Sequence, residues 1–462
     1  MRTTFQTAAS VFIGAIILMT PALLNNFPFL YPDTGTYLVC AFNDEVSELR
    51  PVTYGLFMRH TSLMESFWFV VFVQAIIVSW TVHAFSFAFF KNLPRITPFV
   101  IIIVLTLMTG LGEVTGMLMP DFLTPVMILS MAILLFGELK ISWKIISCLL
   151  LWFSVACHHS NPYTSFFLLI IFLFAGLIYY WKYKITLFNY RRFILSMFLV
   201  IAGFFTIPTL HWYCSGEFYW SKAKSIFITN RINQMGLLTP YLQKHCKDDN
   251  FKLCVAKDSI PYDFLWDSNS PLNKTGGWTA NDEAYSFMLK DFFKQPYFAR
   301  KFIIKTIENG VIQFFTIEGR LFGPEREGGY VGDVIKRLWP ETIPSIKRSM
   351  QYADLWSSKT LQVFQRFLFY GSLLLFGLVF IFGYGNKISR NHKAIAVFIL
   401  LGVLMNAFIC AGISMVDMRF QYRVAWLIPF ITILILADQI WSWKLSRKTI
   451  VEEDSDQANP VR

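Results

Sequence analysis

Two polar strings stand close together early in the chain, Tyr31-Pro32-Asp33-Thr34-Gly35-Thr36-Tyr37 and Arg50-Pro51-Val52-Thr53-Tyr54-Gly55-Leu56-Phe57. They offer one carboxylate, Asp33, and one guanidinium, Arg50, between apolar runs. A carboxylate at a low-dielectric boundary has a tunable proton affinity, and a positioned base accelerates a displacement by ~10²- to 10⁴-fold. A guanidinium is shaped to fork onto phosphate oxygens. Two more guanidiniums lie far downstream, in Asp417-Met418-Arg419-Phe420-Gln421-Tyr422-Arg423, where the spacing puts Arg419 and Arg423 on one face if the segment is helical. Each feature has a plainer reading beside the chemical one. Asp33 is well placed to cap a helix N-terminus, and the late arginines to anchor a span at the interface.

Other ionisable or polar groups share this placement near the ends of apolar segments. Asp121 follows Pro120 and Glu113 sits in the glycine-rich turn 110–116, while His158, His159 and Asn161 precede Pro162. Asp121 equally suits a first-turn acid, and the His-His-Ser-Asn string a hydrogen-bonded helix terminus. Adjacent histidines point in different directions on a helix and form no ready chelate. No CxxC pair, HExxH or phosphate-cradling glycine loop is present. Of seven cysteines, Cys246 and Cys254 are the expected disulfide pair.

The elements that must position these groups follow from composition. The 462 residues are 55% hydrophobic and only 15% charged, which excludes an ordinary cytosolic enzyme and a disordered chain. Apolar runs predict an all-α polytopic membrane protein with about ten transmembrane helices. The net charge of +11 lies mostly as punctuation between spans, which argues for membrane topology and not for nucleic acid. Clusters such as Lys140 with Lys144, and Arg191 with Arg192, alternate with poorly charged loops, so both termini are expected in the cytoplasm. The predicted organisation is an N-terminal bundle at 1–211 with a functional first external loop at 28–64. A mostly helical extracytoplasmic domain at 212–366 follows, then C-terminal spans at 367–443 and a cytoplasmic tail at 444–462, whose acidic stretch is expected to be unstructured. Within the outer domain, Pro296 to Phe315 reads as amphipathic, suited to rest on lipid or to pack on the bundle.

At the two early strings, and at Val73-Gln74, the sequence resembles the GT-C superfamily of integral-membrane glycosyltransferases, glycosyltransferase family 39-like in its use of polyprenyl-phosphate sugars. Gly55 departs from the pattern, standing where many members have a second Pro. The resemblance implies a GT-C-like bundle in which Asp33 acts as acid/base on an acceptor hydroxyl and Asp121 is a second acid. The negative charge that develops on a leaving lipid phosphate needs cations, and Arg50, Arg419 and Arg423 are the candidates for that clamp. Substrate contacts would come from Tyr37, Tyr54, Glu113, His158, His159 and Asn161. The partners implied are a polyprenyl-phosphate-linked sugar, membrane lipid, and a glycan, lipid or protein acceptor. No cofactor is fixed, and a divalent metal ion near Asp33 or Asp121 stays open. A bacterial inner membrane with a periplasmic active site suits the short loops and basic character. Two other functions fit the same residues: a transporter or flippase using Gln74, His83 and Asn406 inside spans, or a noncatalytic polysaccharide-assembly subunit.

Overall fold

A computed structural model describes residues 2–43, 45–246, 251–262, 264–267, 269–324, 328–381 and 388–458. The chain is about 75% helix, with no strand among the described residues. Apolar helices begin and end where the sequence supplies caps and breakers. The first run divides into α1 (Arg2–Leu18) and α2 (Thr20–Leu24), with Pro21 in the first turn of α2. Two short helices follow, α3 (Thr34–Phe42) and α4 (Val52–Thr61), then the long α5 (Phe67–Phe89), whose cap Ser66 accepts from the Trp68 amide. Next come α6 (Thr97–Met108), the single turn α7 (Leu111–Thr115), α8 (Leu123–Phe136) and α9 (Ile141–Cys157). The long α10 (Ser160–Tyr183) and α11 (Tyr190–Ser215) complete the first bundle, closing on Lys184 and Gly216 in the left-handed conformation.

Among the described residues six helices are long and apolar enough to cross a membrane, which makes the chain compatible with a multi-pass membrane protein. They are α5, α10, α11, part of α19 (Lys359–Ile381), α20 (Arg390–Ile413) and the stretch Met418–Leu445. Large apolar side chains such as Phe198, Phe205 and Phe367 lie exposed on them. The apolar segments Gln6–Leu18, Thr97–Met108, Pro120–Phe136 and Ile141–Cys157 are shorter.

The region between α11 and α19 is helical and holds its own apolar core, centred on Tyr241, Phe264, Tyr285, Phe292 and Phe298. Its helices are α12 (Lys224–Gln234), α13 (Leu238–His245), α14 (Pro271–Lys274), α15 (Gly277–Lys294), α16 (Pro296–Phe315), α17 (Tyr330–Leu338) and α18 (Ile343–Lys347). Cys246 and Cys254 are joined in a disulfide. Trp278 packs against this core beside Trp266. Helix α16 lies along α20, with Gly310 against Phe408 and Thr306 against Gly412, while Ile303, Ile307 and Val311 remain exposed. It therefore packs on the bundle and still presents an apolar face.

The chain ends with α21 (Met418–Ala425) and α22 (Leu427–Ala458). Helix α22 continues through the acidic stretch expected to be unstructured, because its backbone is helical as far as Ala458.

Candidate functional site

The loop carrying Asp33 is held from several directions. Phe29 bonds through its backbone to Gly116 and Leu118 beside α7, both at 3.0 Å. Gln351 clasps Leu30, accepting from its amide at 3.0 Å and donating to its carbonyl at 2.7 Å. Asp33 then opens α3 at the cap position, yet its side chain makes no capping bond. The carboxylate is drawn instead to two cations, with Oδ1 at 2.7 Å from Arg50 Nη2 and Oδ2 at 2.9 Å from Arg419 Nη1.

Arg50 arrives on a loop whose Glu48 carbonyl accepts from the Lys222 amide at 3.1 Å. Helix α4 follows directly, and its first amide, Val52, donates to His211 Nε2 at 3.3 Å. Helices α3 and α4 approach closely at Gly55, where a Cβ would lie 2.7 Å from Cys40 Cβ. This contact gives a physical reason for glycine at position 55. The remaining motif residues join the same assembly. The Tyr37 and Tyr54 rings meet edge to face at 5.0 Å. Tyr54 donates to Gln74 Oε1 at 2.6 Å, and Gln74 donates to the Thr115 and Met117 carbonyls.

Helix α21 supplies the opposite wall. Asp417 caps it by accepting from the Arg419 amide at 2.8 Å, so its carboxylate serves the backbone and not the arginine side chain. Arg419 spans both acids, reaching Asp33 and lying 3.3 Å from Asp121 Oδ1, with its guanidinium over the Tyr31 ring at 4.4 Å. Arg423 lies 3.3 Å from the same Asp121 oxygen. It also donates to Asn406 Oδ1 at 2.8 Å and Ser160 Oγ at 3.0 Å, and sits 3.3 Å from His158 Nε2. Five charged side chains thus form one chain in the order Arg50, Asp33, Arg419, Asp121, Arg423.

The cluster is graded in exposure. Asp33 and Arg50 side chains are 15% and 19% exposed, whereas Asp121 and Arg423 are fully buried. Burial alone would raise the Asp33 pKa, but the guanidiniums of Arg50 and Arg419 overcome it and hold the carboxyl at about 2. His158 is pushed well below the usual imidazole range by burial and by Arg423, and His159 to about 3 by burial and Arg50, so both are neutral. Three guanidiniums then face two carboxylates, a formal balance of +1. Asp121 Oδ2, Arg423 Nε and both amide atoms of Gln421 are buried without a hydrogen-bond partner among the described residues.

Three other candidates sit apart from this chain. Glu113 accepts from Trp356 Nε1 at 2.8 Å, Ser358 Oγ at 2.6 Å and the Tyr422 hydroxyl, which ties α7 to the segment before α19 and to α21. Asn161 accepts from Thr124 at 2.9 Å and donates to the Ser154 carbonyl, joining α8, α9 and α10. His159 stacks on Trp220 at 4.3 Å. Trp220 in turn borders a recess of about 380 Å³, lined also by Phe204, Phe205 and Pro208 of α11 and by Lys222 and Lys224. That recess shares the 219–222 segment with the loop before Arg50.

Sequence reasoning passed over Tyr31 and Ser160 as site residues, and neither carries a signal beyond proximity to Asp33 and His158. Asn406 was visible as a polar residue inside a span, but its service to Arg423 was not. Gln74, His83 and Asn406, the polar candidates inside spans, bond to internal partners: His83 lies 2.8 Å from Ser10 Oγ and from the Ser79 carbonyl. Among the described residues no group of three or more His, Cys, Asp or Glu is arranged to hold a metal ion. The chain matches no family model, no curated protein and no solved structure.

Proposed function

We propose that the chain is a GT-C-type membrane glycosyltransferase that moves a sugar from a polyprenyl phosphate to an extracytoplasmic acceptor. The observation that carries this reading is the arginine–carboxylate chain, in which Asp33 is bound by Arg50 and Arg419 while Asp121 links Arg419 to Arg423. In this reading the four shorter apolar segments span together with the six long ones, making ten. The positive clusters between spans face the cytoplasm, and region 212–366 lies outside.

The chemistry is an in-line displacement. Asp33 takes the proton from an acceptor hydroxyl, whose oxygen forms a bond to the anomeric carbon. The bond from that carbon to the phosphate oxygen breaks, and its electron pair leaves on the polyprenyl phosphate. Guanidiniums placed where this charge develops stabilise the transition state. The cluster charge suits such a donor. A glycosyl phosphodiester carries −1 and cancels the +1 of the resting site. After transfer the phosphomonoester carries up to −2, and Asp33 holds the acceptor proton, so neutrality is kept.

The test is transfer from a panel of radiolabelled polyprenyl-phosphate sugars by purified wild type and Asp33→Asn. The expected result is turnover by wild type with at least one donor and a loss of ~10²-fold or more in the variant, at matched elution and folding. Equal turnover would remove Asp33 from the chemistry. Failure of every donor with wild type would refute the substrate class.

A further inference from the structure

The outer part of the arginine–carboxylate chain is occupied by the protein itself. Both oxygens of Asp33 are taken, each by a different guanidinium; Asp33 and Arg50 are the partly exposed members of the cluster, and Arg419 lies buried behind them. An anion arriving from outside would meet Arg50 first and reach Arg419 by moving the Asp33 carboxylate aside. To such a pair, a carboxylate and a phosphate look alike, because each offers terminal oxygens on one centre to charge-assisted donors. We propose that Asp33 is the resident occupant of the donor-phosphate seat on Arg50 and Arg419, and that the lipid phosphate binds by displacing it. This inference rests on the transferase reading and names how that site is regulated.

Two consequences follow from the same geometry. While paired, Asp33 has little proton affinity, since two cations hold its carboxyl at about 2 against the opposing pull of burial. Displacement removes those contacts, so the base becomes competent only when a phosphate is seated. The exchange also works in reverse. Once Asp33 has released the acceptor proton to water, a bound monoester dianion leaves the cluster with one negative charge too many, and the carboxylate reclaims its arginines. The deeper Asp121 keeps Arg419 and Arg423 in place throughout, because its contact oxygen touches both.

An internal competitor lowers apparent affinity by the fraction of molecules in which the seat is closed, so removing it should tighten binding. The probes are farnesyl phosphate, a short prenyl monoester, and inorganic phosphate, titrated calorimetrically into detergent-solubilised full-length protein. Wild type, Asp33→Asn, Asp33→Ser and Arg50→Ala are compared. The expected result is farnesyl phosphate bound about 10-fold more tightly by whichever Asp33 variants fold, and more weakly by Arg50→Ala. Unchanged or weaker binding by folded Asp33 variants overturns the exchange and leaves the transferase reading standing if wild type binds. Undiminished binding by Arg50→Ala likewise overturns it. No binding of farnesyl phosphate by any of the proteins overturns both. Inorganic phosphate bound as tightly as the prenyl ester, with the same response to Asp33→Asn, upholds the exchange and refutes a lipid-linked source.

Discussion

Replacing Asp121 by Asn isolates the energetics of the buried end of the cluster. Arg419 would keep its contact with Asp33 at 2.9 Å. Arg423 would not be so compensated, because its other partners, His158, Ser160, Asn406 and Cys410, are neutral or weakly polar. A fully buried guanidinium would then stand without a counter-charge. At an effective dielectric constant of ~20, unit charges ~4 Å apart attract by about 4 kcal/mol. Removing one partner of a buried pair costs about 3–5 kcal/mol for the same reason. The single change should therefore destabilise strongly, and adding Arg423→Gln should recover part of the loss. The assay is a double-mutant cycle by denaturant titration in detergent micelles, followed by circular dichroism. A coupling of about 2–3 kcal/mol is expected. Additivity within ~0.5 kcal/mol would show that Asp121 and Arg423 do not share a contact, and the reasoning would fail.

Two further outcomes bear on the mouth of the site. The Asp33 carboxyl is held at about 2 against an ordinary 3.8, so its ion pairs stabilise the fold fully above pH 4 and lose that contribution as pH falls through 2. At ~1.36 kcal/mol per unit this amounts to roughly 2 kcal/mol, and the stability gap between wild type and Asp33→Asn should narrow only in that acid window; a gap constant down to pH 2 contradicts it. Gly55→Ala should cost about 1–3 kcal/mol through overpacking, since the new Cβ falls 2.7 Å from Cys40 Cβ. Unaltered stability would mean that α3 and α4 do not approach as described.

What the sequence disclosed was the inventory of the site and not its wiring. Charges are costly within a bilayer, so their clustering at the ends of apolar runs singles them out as candidates without any knowledge of contacts. The local spacing of Arg419 and Arg423 on one turn of α21 was likewise readable, because helical periodicity is a local property. The partners were not readable. Arg419 reaches Asp33 across 386 positions and Arg423 reaches Asp121 across 302, and no local rule encodes such distances. Local preference also misled. Asp33 sits where a cap belongs, yet two cations outcompete backbone amides for its carboxylate. Asp417, two residues before Arg419, is the residue that caps. Glu113 shows a third case, because its three donors come from Trp356, Ser358 and Tyr422, all remote in sequence, and they leave it bracing helices outside the charged chain.

Helix α21 is only eight residues long, yet it touches three early acids, Asp33 and Asp121 through arginines and Glu113 through Tyr422. Ribosomes deliver the chain from its N-terminus at about 5–20 residues per second. These acids thus leave the ribosome roughly fifteen to eighty seconds before their partners on α21 exist, on the order set by that rate. During this interval Asp33 has Arg50 as its cation but Asp121 has neither of its arginines, so α21 is the element that completes the charged chain. Stalled translation short of residue 417 would leave a protein complete in most of its spans and exposed to quality-control proteases for want of one turn of arginines.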